Sequence, residues 1–140
     1  MKILASTYNS IIRQAQTVWR YECCGILLAH AEVPDAISMI MPSPNVADGI
    51  RRQCYRLDHR VQIRALELEQ NNVARVVGYY HSHPNGEPLF SEADLCQAVE
   101  EAIYLVVGGR INSPRARAWK KNGSGYVEEP LELEEGRRTR

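Results

Sequence analysis

The stretch that most limits how this chain folds is Arg75-Val76-Val77-Gly78-Tyr79-Tyr80, which runs unbroken into His81-Ser82-His83-Pro84. Valine and tyrosine favour a pleated, half-buried surface, so Arg75 to Tyr80 is read as a strand. On a strand, residues i and i+2 share a face, which lets His81 and His83 aim both imidazoles into one pocket. Proline has no N–H to give a sheet ladder, so Pro84 stops the strand directly behind them, at a sheet rim. Asn85-Gly86-Glu87-Pro88 then supplies turn chemistry.

The remaining elements follow from periodicity. Apolar residues at three-to-four spacing predict a helix from Ser6 to Arg20, with Ser6 as its cap. Cys23 to Ala29 is a continuous apolar run, the pattern of a buried strand. Ala36 to Met41 is a second strand ended by Pro42-Ser43-Pro44, Asn45 to Arg52 a polar loop, and Gln53 to Leu57 a weaker strand. His59 to Asn71 reads as an amphipathic helix and Ser91 to Glu101 as a capped one. Ala102 to Val107 is a buried strand closed by a turn at Gly108-Gly109. Arg115 to Lys120 and Gly125 to Leu133 form a hairpin around Asn122-Gly123-Ser124-Gly125. Strands mixed with three helices imply an α/β domain, a mixed sheet flanked by helices, over residues 1–133. Residues 134–140 form a charged tail expected to fray.

With 140 residues, 44% apolar and 24% charged, the chain holds enough core for one domain without disulfides, and wholesale disorder is excluded. Seventeen basic residues balance seventeen acidic ones, which disfavours a nucleic-acid partner. The first ten residues lack a secretory apolar core, and no apolar stretch is long enough to span a bilayer. Cys23, Cys24, Cys54 and Cys96 contain no C-x-x-C pair, so the thiols are expected reduced and packed, in a cytoplasmic protein.

Two imidazoles and a carboxylate from Asp94, one turn into the next helix, form a three-donor set for Zn²⁺ with a fourth position open. Ser91-x-x-Asp94 is equally the signature of a helix start, with Ser91 as cap and Asp94 answering the helix dipole. These readings agree for Ser91 and compete for Asp94. A metal hydrolase also needs a carboxylate that touches the attacking water without binding the metal. Spacing alone leaves Glu22, Glu32 and Glu87 as candidates.

Glu22, then His81-Ser82-His83-Pro84, then Ser91-x-x-Asp94, resembles the JAMM (MPN+) metalloprotease signature of a distant Glu, H-[ST]-H-P and S-x-x-D. Glu22-Cys23-Cys24-Gly25-Ile26-Leu27-Leu28 and Pro44-Asn45-Val46-Ala47 resemble the flanks of compact bacterial members, and the likeness runs from about Ser6 to Tyr104. The resemblance implies a curved mixed sheet with one Zn²⁺ at its edge, held by His81, His83 and Asp94. It selects Glu22 as the proton acceptor, gives Ser91 Oγ the role of oxyanion donor, and leaves Ser82 structural. It further implies cleavage of an amide after the C-terminal Gly-Gly of a ubiquitin-like or sulfur-carrier protein. Two alternatives share the fold: a zinc amidohydrolase for a small-molecule amide, and a non-catalytic MPN scaffold. A zinc deaminase expects H-x-E and P-C-x-x-C, which this chain lacks. Cys23 and Cys24 are read as packed residues rather than ligands or redox thiols, and His30 and His59 as surface residues.

Overall fold

The computed structural model describes residues 1–47, 55–91, 94 and 98–136. Its elements are β1 (Lys2–Leu4), α1 (Ala5–Thr17), β2 (Cys24–His30), β3 (Ala36–Ile37), β4 (Met39–Ser43), α2 (His59–Gln70), β5 (Ala74–Ser82), β6 (Ile103–Arg110), β7 (Ser113–Asn122), β8 (Gly125–Glu129) and β9 (Glu132–Glu134). Six strands form one mixed sheet in the order β4-β2-β5-β6-β7-β8, and β3-β1-β9 form a second, small one. Within the large sheet β5 and β6 are parallel and every other pair is antiparallel.

The apolar run of β2 is buried on both faces, as a central strand requires. Leu27 points with Val77, Tyr80, Leu105, Val107 and Ala118 toward α1, whose Ile11 and Ala15 close that layer. Ile26 and Leu28 point the other way, with Ala65 of α2 and partly buried Met39, Met41 and Val76. A third cluster of Phe90, Ala98, Tyr104, Val106 and Trp119 covers the rest of that second face. The sheet is therefore a middle layer between two apolar surfaces, the arrangement expected of an α/β fold.

Several expectations shift. The second strand divides at Ser38: β3 joins the small sheet, while β4 continues through Pro42 and Ser43 along β2. Pro42 is tolerated because β4 is an edge strand. α1 has Leu4 as its N-cap with no side-chain cap, so Ser6 does not cap it, and the helix ends at Thr17. α2 begins at a true cap, where the Asp58 carboxylate accepts the Arg60 N–H at 2.9 Å. Tyr55 to Leu57 form no strand; Leu57 makes only an isolated bridge to Asn45, and Gln53 and Cys54 lie outside the described residues. Most of the helix expected over Ser91 to Glu101 also lies outside them, and residues 98–101 are non-helical. Glu134, expected to open the frayed tail, instead closes β9 against Leu4 of β1. Gly108 and Gly109 belong to β6 and are paired with Arg115 and Pro114, so the chain turns after Arg110 rather than at the glycines.

Parallel strands need a long crossover, and the one joining β5 to β6 carries His83, Ser91 and Asp94. It leaves from the carboxyl end of β5, where α/β sheets place their ligand crevices.

Gly78 makes this arrangement possible. It pairs with Ile103, and a Cβ there would overlap the Ile103 carbonyl. Gly78→Ala must part β5 from β6, and is expected to cost at least about 3 kcal/mol, seen as a fall of roughly 10 °C in the thermal midpoint.

Candidate metal centre

The centre is assembled by the pairing of β2 with β5, in a register that sets Cys24 opposite His81. Just beyond it, the Cys23 N–H donates to Ser82 Oγ at 2.8 Å and the Ser82 N–H donates to the Cys23 carbonyl at 3.1 Å. These two bonds carry Glu22, one residue before Cys23, to the end of β5. Ser82 is fully buried and occupied in this clasp. It is structural, as expected, though it ties two strands together rather than supporting the turn.

His83 lies one residue past β5 but keeps its ladder bond, its N–H donating to the Val107 carbonyl at 2.7 Å. The turn behind it folds back onto β6: the Asn85 N–H donates to the Gly109 carbonyl at 3.0 Å, and the Gly109 N–H to the Gly86 carbonyl at 2.6 Å. Gly108 is the seat for this turn, since a Cβ there would strike the backbone of Gly86, Glu87 and Pro88. The Trp119 indole N–H holds the Pro88 carbonyl at 3.1 Å.

His81, His83 and Asp94 converge. Their closest atoms are His81 Nε2 and His83 Nε2 at 3.1 Å, His81 Nε2 and Asp94 Oδ2 at 3.2 Å, and His83 Nε2 and Asp94 Oδ2 at 3.5 Å. They are the one group of three metal-capable side chains among the described residues. A tetrahedral ion with bonds of about 2.0 to 2.2 Å separates its ligand atoms by ~3.3 to 3.6 Å; one of the three separations falls in that range and the other two are shorter by 0.1 to 0.2 Å, so a small outward shift of the His81 ring lets this donor set take zinc. Glu22 is buried and stands one step further out, with Oε1 3.7 Å from His83 Nε2 and Oε2 unpartnered among the described residues.

The helix-start and ligand readings of Asp94 prove compatible. Its Oδ2 accepts the Ser91 N–H at 2.9 Å while facing both imidazoles, and its own N–H donates to Ser91 Oγ at 3.0 Å. Ser91 Oγ accepts in that bond and keeps its proton for another acceptor.

The electrostatics follow from burial and neighbours. Burial lowers the His81 pKa, and the facing Asp94 carboxylate offsets this only in part, so the imidazole is held neutral. Burial also acts to lower His83, but Asp94, the Glu87 carbonyl and Glu22 outweigh it and raise the pKa. Burial pushes Asp94 up, yet hydrogen bonds from His81 and His83 and the Ser91 N–H hold it well below the usual carboxylate range. Burial lifts Glu22 to about 7, with His83 opposing and Asp94 adding. Cys23 and Cys24 are pushed up by burial to about 11 and about 12, so they are packed, unreactive thiols.

Sequence reasoning brought all five residues to one place but gave no role there to three that support them. Tyr55 stacks on His81, with ring centroids 4.4 Å apart. Asn45 Nδ2 donates to the Glu22 carbonyl at 3.1 Å. Gly108 seats the turn after His83. The strand expected at Gln53 to Leu57 hid Tyr55, and a glycine inside a strand pattern is the one signal that pointed to Gly108.

Residues 4–122 match the family model described as prokaryotic homologs of the JAB domain, and the chain belongs to that family. It is 31% identical over 86 residues to a desampylase from Haloferax volcanii, an alignment covering 61% of this chain and 60% of that protein, so it spans less than two thirds of the curated relative's length. A solution structure of a protein from Desulfitobacterium hafniense superposes with a TM-score of 0.80 at 21% identity, over 96% of this chain and 93% of that one. A chain described as a JAMM metalloprotease-like zinc site in the proteasome and signalosome superposes with a TM-score of 0.61 at 18% identity, over 96% and 98%. The fold is therefore that of the JAB, or JAMM/MPN, proteins, as the sequence implied.

A carboxyl whose folded pKa exceeds its unfolded value favours folding while protonated and loses that contribution as pH rises through the folded value. In chelator-treated protein, Glu22 is then expected to weaken the fold between pH about 4.5 and about 7. Glu22→Gln cannot ionise, so its thermal midpoint should gain on wild type across that interval and hold a constant lead above it.

Proposed function

We propose that this chain is a zinc-dependent (iso)peptidase that hydrolyses the amide bond following the C-terminal Gly-Gly of a ubiquitin-like or sulfur-carrier protein. The observation that carries the reading is the convergence of two imidazole nitrogens and one carboxylate oxygen beside a buried, unpartnered Glu22 oxygen. His81, His83 and Asp94 would hold one Zn²⁺ per chain. When bound, zinc acts as a Lewis acid on the substrate carbonyl and makes water a better proton donor. Glu22 accepts the proton of the attacking water and delivers it to the departing amine. Its Oε1 lies 3.7 Å from His83 Nε2, beside the three donors and outside their set. Ser91 Oγ, whose proton is not spent on Asp94, donates to the developing oxyanion.

The name of the Haloferax relative supports the substrate class, and the JAMM zinc site of the structural neighbour supports the metal. Two glycines bring a substrate backbone close to the centre without side-chain clash. The complete donor set and the Glu22 carboxylate favour this over a non-catalytic scaffold. Packed thiols at Cys23 and Cys24 suit the cytoplasm. Among the described residues no helix is long and apolar enough to cross a membrane.

Glu22→Gln should retain stoichiometric zinc by elemental analysis and lose at least about 100-fold in kcat. His83→Ala should lose the metal itself. Near-normal turnover by Glu22→Gln would exclude it as the base. Zinc-loaded enzyme is expected to cut a carrier–peptide fusion after Gly-Gly; indifference to the carrier together with hydrolysis of a small-molecule amide would select the amidohydrolase instead.

A further inference from the structure

The two imidazoles are oriented differently. His83 Nδ1 faces the Glu87 carbonyl at 3.3 Å, the usual way a ligating histidine is fixed by its second nitrogen. His81 is fully buried, and its Nδ1 has no hydrogen-bond partner among the described residues. What it has is Tyr55, lying flat against it at 4.4 Å between centroids and 17° between planes, with the His83 ring edge-on at 4.8 Å. Tyr55 is itself held by a stem. The Val46 N–H donates to the Arg56 carbonyl at 3.0 Å, and the Arg56 and Ala47 N–H groups donate to Asn45 Oδ1 at 3.0 and 3.1 Å. The Asp58 N–H donates to Ser43 Oγ at 2.8 Å. Asn45 ties the same stem to the Glu22 carbonyl.

We infer that Tyr55 is a positioning residue that fixes the plane of the His81 ring by stacking, and so tightens metal binding. The inference rests on His81 being a ligand, as proposed above. The flat face of the ring does this, and the hydroxyl does not.

The test is the zinc dissociation constant, measured by chelator competition on the full chain, for wild type, Tyr55→Phe and Tyr55→Leu. Losing an orienting partner typically weakens binding by 10- to 100-fold, so Tyr55→Leu should bind at least about 10-fold more weakly and Tyr55→Phe within about twofold of wild type. Cobalt in place of zinc should give visible bands altered in Tyr55→Leu and kept in Tyr55→Phe. The metal-free thermal midpoints should match. Unchanged affinity in Tyr55→Leu overturns the inference, as does equal weakening in Tyr55→Phe. A Tyr55→Leu chain that unfolds without metal makes Tyr55 a folding residue and overturns it too. Wild type that takes up no zinc, by contrast, overturns the metal reading beneath it.

Discussion

Everything at the centre depends on the reciprocal pair of hydrogen bonds between Cys23 and Ser82. They continue the β2–β5 ladder beyond its last paired residues and bring a carboxylate from early in the chain to imidazoles some sixty positions later. Both groups are buried, so the bonds form where water does not compete and where leaving them unmade would be costly. A serine between two histidines reads as a candidate nucleophile. Here its oxygen accepts a backbone N–H and the side chain is fully buried, so it has become part of the frame.

The parallel pairing of β5 with β6 is the second requirement. It forces the intervening chain to cross over, and that crossover holds His83, Ser91 and Asp94, two of the three converging donors among them. Glycine enters twice: Gly78 lets the strands approach, and Gly108 lets the returning turn lie on β6. The same apolar cluster of Phe90, Tyr104, Val106 and Trp119 backs the crossover, so the chemistry rests on packed side chains.

The site was more legible in the sequence than its support. His81 and His83 follow from strand alternation, which depends only on covalent geometry. Asp94 and Glu22 required the family likeness, because helix-start chemistry explains one and nothing local singles out the other. Strand boundaries slipped where tertiary pairing decides: the division at Ser38 reflects two different sheets, and β9 exists because β1 offers an edge. A three-residue strand such as β1 has too little pattern of its own to be seen. Tyr55 was invisible for a related reason. Its partner is set by the closure of a stem through Asn45 and Ser43, and no periodicity encodes that closure.

The indole of Trp119 touches the turn behind His83 through the Pro88 carbonyl and is almost wholly screened from solvent. It is therefore an optical reporter built into the scaffold. With Trp19, the chain's other tryptophan, replaced, light emitted from that ring should change when the crossover leaves β6, which gives the centre a label that needs no dye.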